Sequence, residues 1–353
     1  MSENSLFIRA CKRQKTERTP VWIMRQAGRY LPEYRAIREK YDFLTTCKTP
    51  ELASEITIQP IDIIKTDAAI LFSDILVIPE AMGMKLDVIE SKGPVFDDPI
   101  RETRQIESLA TEGLLERLDY VMQAVKMTKE KLNGRVPLIG FSGSPWTLAT
   151  YMVEGKGSKN HEIIKSFIYN EPEAAHRLLQ ILADTVVEYL NAKIRAGCDA
   201  VQIFDTWASL LSPTDFEEFS LRYMRYICEN LDTQGAPVIV FAKGVGSYKN
   251  LAEVGCDVLG VDWTRNLGDV RAEIGGVKGL QGNLDPTVLF APKEKIREET
   301  ERVLHSYGAG NGHIFNLGHG ITPKTPVENT QYFVECVKEL SVKYHAENEA
   351  QTA

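Results

Sequence analysis

Eight short apolar runs, each followed by a longer amphipathic stretch, restrict this chain to a small set of architectures. The runs are Val21–Arg25, Ala68–Asp74, Pro137–Ser142, Ala200–Thr206, Pro237–Lys243, Val258–Thr264, Gly279–Asp285 and His313–His319. Strand-length runs alternating with helical patterns are the signature of βα units around a parallel sheet. One helical stretch can be read directly. Leu182, Val186, Leu190 and Ile194 recur every fourth position, Pro172 fits the first turn, and Gly197 stops the helix before Asp199 opens the next run. The gaps between the fifth, sixth and seventh runs leave room for a short helix each. A hairpin or excursion is expected at Lys85–Phe96.

Eight such units in 353 residues point to an α/β fold, a single-domain (β/α)8 barrel with its cleft at the C-terminal ends of the strands. A doubly wound sheet would carry a glycine fingerprint after its first strand. The Gly-x-Gly pairs starting at Gly155, Gly244, Gly308, Gly310 and Gly318 do not complete GxGxxG, and no GxxxxGK[ST] occurs. The whole chain, 1–353, reads as one domain, with loose ends expected at about 1–5 and 345–353.

Composition excludes several classes. Apolar residues at 43% and charged residues at 25% fit a globular protein rather than a disordered or fibrous one. The longest apolar stretches, such as Ala68–Phe72 and Val238–Ala242, fall far below the ~20 residues of a bilayer span. The polar opening gives no expectation of a secretory signal. A net charge of −8 counts against nucleic acid as a partner. Cys11, Cys47, Cys198, Cys228, Cys256 and Cys336 are scattered without CxxC or His-x-Cys spacing, so reduced thiols in the cytoplasm are expected rather than disulfides. The histidines show no HExxH pattern, and no metal is expected.

The runs end on polar residues: Arg25, Asp74, Ser142, Asp205–Thr206, Lys243, Asp262–Trp263, Asn283 and His319. In a barrel these positions face the cleft. Met24–Arg35 concentrates Arg25, Arg29 and Arg35 beside Gly28, Tyr30 and Tyr34, a pattern suited either to a polyanion or to a solvated basic loop. Asp74 ends an apolar run and needs a cation or N–H donors to stay ionised. Tyr151 follows a helix start at Ser144–Pro145, and His319 lies between glycines. Lys243 fits an ion pair better than a Schiff base.

Four segments together resemble the uroporphyrinogen decarboxylase family: Pro20–Arg35 (PVWIMRQAGRYLPEYR), Asp67–Met84, Gly143–Ser158 and Phe315–Pro323 (FNLGHGITP). The resemblance implies a (β/α)8 barrel, a homodimer, and stepwise loss of CO2 from the four acetate arms of uroporphyrinogen III without metal or organic cofactor. It also implies the site. Arg25 and Arg29 hold carboxylates, with Gln26, Ala27 and Gly28 lining the cleft between them. Asp74 faces the pyrrole N–H groups, and Phe43, Tyr151 and His319 contact substrate. Thr206, after Asp205, stands where the family commonly has serine. Asp74, Arg25 and Arg29 are the expected catalytic residues. Rival readings are a corrinoid-linked methyltransferase, which lacks its His-x-Cys zinc site here, a Schiff-base lyase through Lys243, and a tetrapyrrole-binding protein without turnover.

Overall fold

A computed structural model describes residues 4–89 and 93–346. Its main sheet is parallel, seven-stranded and ordered β1-β4-β5-β6-β7-β8-β9. These strands are β1 (Ala69–Ile70), β4 (Leu138–Gly143), β5 (Ala200–Asp205), β6 (Val238–Ala242), β7 (Val258–Gly260), β8 (Gly279–Gln281) and β9 (His313–Ile314). The remaining two, β2 (Leu86–Ile89) and β3 (Gly93–Phe96), form an antiparallel hairpin, within the segment expected to leave the barrel pattern. Residues 90–92 of that segment lie outside the described residues.

β5 and β6 are buried along their whole length, as expected of parallel strands covered on both faces. The two-residue period divides them cleanly. Ala200, Phe204, Ile239 and Phe241 join an inner cluster with Ile70, Ile139, Val258 and Ile314, whereas Val201, Ile203, Val240 and Ala242 pack outward. The outward residues meet helices, including Pro172–Ala196, which has proline in its first turn and ends at Gly197. The short helix Leu6–Cys11 contributes Phe7, Ile8, Ala10 and Cys11 to the inner cluster. Within the sheet, Trp22 Nε1 donates to Gln281 Oε1 at 2.9 Å, and Gln281 Nε2 to Gln202 Oε1 at 3.3 Å.

Several elements differ from expectation. The first run forms no ladder strand: Val21 makes a single parallel bridge to Phe315. Phe315 N donates to Pro20 O at 2.8 Å and Asp67 N to Val21 O at 2.7 Å, so this segment lies between β9 and the approach to β1. β1 is shorter than its apolar run because Phe72 N turns away to Thr57 Oγ1 at 2.8 Å. β7, β8 and β9 are likewise shorter, although Leu284 and Leu317 make one more bridge. Between β6 and β7 the expected helix is only a 3-10 turn, Leu251–Glu253. Within the segments expected to be loose, Ser5 and His345 have side-chain partners. Ser5 Oγ caps Leu6–Cys11, and buried His345 meets Thr16 and Thr19 hydroxyls at 3.1 and 3.0 Å. The rest of the segments expected to be loose, 1–3 and 347–353, lies outside the described residues.

Candidate active site

Arg25, Asp74, Tyr151, Lys243 and His319 lie within electrostatic reach of one another at one mouth: Arg25 acts on Asp74, Tyr151 and His319, and Lys243 acts on His319. Arg25 lies there because its backbone is pinned. Met24 N donates to Asn316 Oδ1 and Ile321 N to Met24 O, both at 2.9 Å. Arg25 itself takes φ +65°, a left-handed conformation that a non-glycine residue adopts only when its surroundings enforce it. Its side chain lies across Gly320, where a Cβ would stand 2.9 Å from Arg25 Cγ.

The rest of the basic segment divides between structure and mouth. Gln26 is fully buried, and its amide is spent on Ile23 N and Ala68 O at 3.0 and 2.9 Å. Any contact from Gln26 to substrate must therefore come from its main chain. Gly28 makes the turn: a Cβ there would meet Arg25 O at 2.8 Å. Ala27 and Gly28 are half-buried and Arg29 is exposed. Arg35 is not part of a polyanion site, since its guanidinium donates to the carbonyls of Arg29 and Tyr30 at 2.9 and 3.0 Å.

Asp74 follows the short β1 and is half-buried. Its Oδ1 accepts from Leu76 N at 2.7 Å, and among the described residues it makes no ion pair, so of the cation or N–H donors expected to keep it ionised only the N–H is in contact. Burial pushes its carboxyl up from the ordinary range, while the Leu76 N–H and the Arg25 charge pull it down. Phe72 stands edge-on to Phe43 at 6.0 Å and to Tyr34 at 5.6 Å. Phe43 thereby borders the Asp74 segment at the start of the helix Phe43–Lys48.

Tyr151 is carried by Pro145–Glu154, whose N-cap Ser144 accepts from Thr147 N at 3.0 Å. Burial raises its phenol above the usual range, and the ring packs edge-on to Trp207 at 6.0 Å. Sequence reasoning missed what anchors this helix. Buried Asp205 accepts from Ser144 Oγ at 2.9 Å, Thr147 Oγ1 at 2.7 Å and Ser220 Oγ at 2.5 Å. Ser220 sits in a π-turn, Glu217–Leu221. Burial raises the Asp205 carboxyl, and the three hydroxyls counter it. Thr206, half-buried, continues from Asp205 two residues beyond inward-facing Phe204.

His319 completes the arc. Its ring lies 6.2 Å from Phe241 and 6.4 Å from Trp263. Desolvation, then the charges of Arg25 and Lys243, push it down to about 4 despite Asp262. It is therefore a neutral hydrogen-bonding group at pH 7. Among the described residues no group of three or more His, Cys, Asp or Glu side chains is placed to hold a metal. Among the described residues no helix is long and apolar enough to cross a membrane.

Comparison with known proteins adds a family. Residues 2–340 match the family model described as uroporphyrinogen decarboxylase (URO-D). A Hydrogenovibrio crunogenus protein named uroporphyrinogen decarboxylase is 51% identical over 97% of this chain and 99% of its own length. A Legionella pneumophila protein of the same name is 53% identical over 97% of this chain and 98% of its own. Among solved structures, a methyltransferase from Methanosarcina mazei shares the fold. It has a TM-score of 0.80 at 22% identity, covering 94% of this chain and 97% of that one.

Proposed function

This chain belongs to the uroporphyrinogen decarboxylase family, and from that premise we propose how its mouth performs the reaction. It is a carboxy-lyase of tetrapyrrole biosynthesis that removes CO2 from the acetate side chains of uroporphyrinogen. The methyltransferase alternative has only a shared fold behind it.

The substrate is the III isomer, and each acetate arm becomes a methyl group. Breaking the bond to CO2 leaves an electron pair that needs a sink. Protonation of a pyrrole ring carbon makes the ring cationic. As CO2 departs, the pair forms an exocyclic C=CH2 and neutralises the ring. A proton then adds to the CH2 carbon, and loss of the first proton restores the aromatic pyrrole. Each arm consumes one proton net and releases one CO2.

One observation carries the assignment of residues. Asp74 is a half-buried carboxyl group with no ion pair among the described residues, beside Arg25 and close to Tyr151. Four pyrrole N–H groups converging on it would satisfy its oxygens, and its charge would stabilise the cationic ring. A fixed charge aimed at a developing charge is worth ~3–4 kcal/mol. Arg25 and Arg29 anchor carboxylate arms, with Ala27, Gly28 and the Gln26 main chain between them. Phe43 packs on the macrocycle, and Tyr151, Thr206 and neutral His319 supply hydrogen bonds.

The bridging of Val21 to Phe315, with Asp67 N on Val21 O, supports closure of the sheet into an eight-position barrel of one domain. Because the protonated pyrrole is itself the electron sink, the reaction needs neither metal nor organic cofactor. The protein acts as a cytoplasmic homodimer.

Anaerobic incubation with reduced uroporphyrinogen III, products being resolved by carboxyl count with and without EDTA, tests the reading. Seven-, six-, five- and four-carboxyl products appearing in turn, indifferent to chelator, support it. Tight stoichiometric binding without CO2 release would leave a binding protein.

A further inference from the structure

We propose that Lys243 is a substrate-binding residue that holds one carboxylate arm of the macrocycle at the rim between Trp263 and the exit of β5. The inference rests on the mouth being the uroporphyrinogen site and adds a third cation to it.

Three observations on placement agree. Ile239 and Phe241 of β6 face the inner cluster while Val240 and Ala242 face outward, so the two-residue period aims Lys243 inward, directly above Phe241. Its backbone is fixed there, because Lys243 N donates to Asp205 O at 3.0 Å. The next residue, Gly244, has φ +71°, and a Cβ on it would meet Ser209 Cβ at 2.7 Å. The chain therefore leaves sharply, with Lys243 at the turn.

The charge has no local use. Among the described residues Lys243 makes no ion pair; its Nζ lies 5.7 Å from the Trp263 ring. Asp262, the carboxylate next to that ring in sequence, is already occupied by Gly244 N, Thr264 N and Thr264 Oγ1 at 2.5, 2.8 and 2.5 Å. The aromatic face holds the ammonium without neutralising it.

The position also suits the substrate. Lys243 and Arg25 both act electrostatically on His319, which places both near it. Strand order separates β6 from β1 by β4 and β5, so Lys243 and the Asp74 segment stand well apart around the rim. A macrocycle centred on Asp74 projects acid arms in every direction, and arms directed away from Arg25 and Arg29 reach this side. Lys243, without an ion pair among the described residues, is a cation free to receive one.

The test compares Lys243→Met, Lys243→Arg and Arg29→Ala with the wild type in the CO2-release assay, alongside melting temperature and coproporphyrinogen binding. Lys243→Met should raise KM about tenfold with kcat nearly unchanged, and Lys243→Arg should restore most of the affinity. Equal weakening of coproporphyrinogen binding assigns the arm as a propionate, and weakening for uroporphyrinogen alone assigns it as an acetate. An unchanged KM in Lys243→Met, or equal loss in both lysine variants at normal melting temperature, overturns the proposal. If Arg29→Ala raises KM and Lys243→Met does not, only the lysine inference fails. If neither does, the reading of the mouth fails with it.

Discussion

Arg25 rests against the bare backbone of Gly320: a Cβ at position 320 would lie 2.9 Å from Arg25 Cγ and 3.0 Å from Arg25 Nε. The side chain of Arg25 is thus steered by the absence of a side chain at Gly320. Because Ile321 N also holds Met24 O at 2.9 Å, the Gly320 segment fixes both the backbone and the side chain of the arginine.

Gly320→Ala should therefore displace Arg25 while leaving the fold intact. A shift of about 1 Å in an anchoring group costs on the order of 100-fold in rate. We expect kcat/KM to fall by about 10–100-fold on that basis, with an unchanged circular dichroism spectrum and melting temperature. Near-normal kinetics would show that Arg25 reaches substrate from more than one position.

Asp74→Asn keeps the shape of the side chain and its acceptor for Leu76 N but removes the charge. If the carboxylate stabilises a cationic ring, kcat should drop about 100-fold or more while KM stays within about twofold. Steady-state kinetics with uroporphyrinogen measures both. A raised KM at normal kcat would instead make Asp74 a binding group only.

Much of this frame was readable from residue patterns. The helix Pro172–Ala196 was legible because its fourfold apolar spacing, its proline and Gly197 all act locally. The runs that became β5 and β6 were legible as short apolar stretches between helical patterns. What escaped prediction depends on partners far away in sequence. Thr57 Oγ1 takes Phe72 N and shortens β1, and Arg35, in a segment suited either to a polyanion or to a solvated loop, serves two carbonyls. Asp205 was legible only as a strand end. Its three hydroxyl partners come from a helix cap, the turn after it and a π-turn, and no local signal links them.

That network makes a stability prediction. Asp205→Ala would strand three buried hydroxyls, and each unsatisfied group costs about 1–3 kcal/mol. A loss of about 3 kcal/mol or more is expected in chemical denaturation, together with a raised KM as the helix bearing Tyr151 loosens. Asp205→Asn keeps an acceptor for Ser144 and Thr147 and should lose less. Equal losses in both variants would mean that the charge, rather than the hydrogen bonds, carries the effect.

His319 links the site to pH. Its ring sits at about 4 in the folded chain, held down by desolvation and by Arg25 and Lys243, with Asp262 opposing. An unfolded histidine titrates near ~6.5. Between those values the unfolded state binds the proton and the folded state does not, so stability falls as pH drops from about 6.5 towards about 4. Fully buried His313, pushed down to about 3 mainly by burial, adds its own loss in the same direction and extends it lower. His319→Asn should flatten the upper part of this acid slope in denaturation midpoints measured from pH 7 to pH 4, leaving the His313 share. Substrate should act oppositely on the ring. Carboxylates arriving beside Arg25 and Lys243 screen the charges that depress His319 and favour its protonated form. Affinity for the product coproporphyrinogen should therefore strengthen as pH falls from 7 towards 5.5, with proton uptake visible in calorimetry in buffers of different ionisation enthalpy. His319→Asn should abolish that uptake, and an identical uptake in the variant would place the titrating group elsewhere.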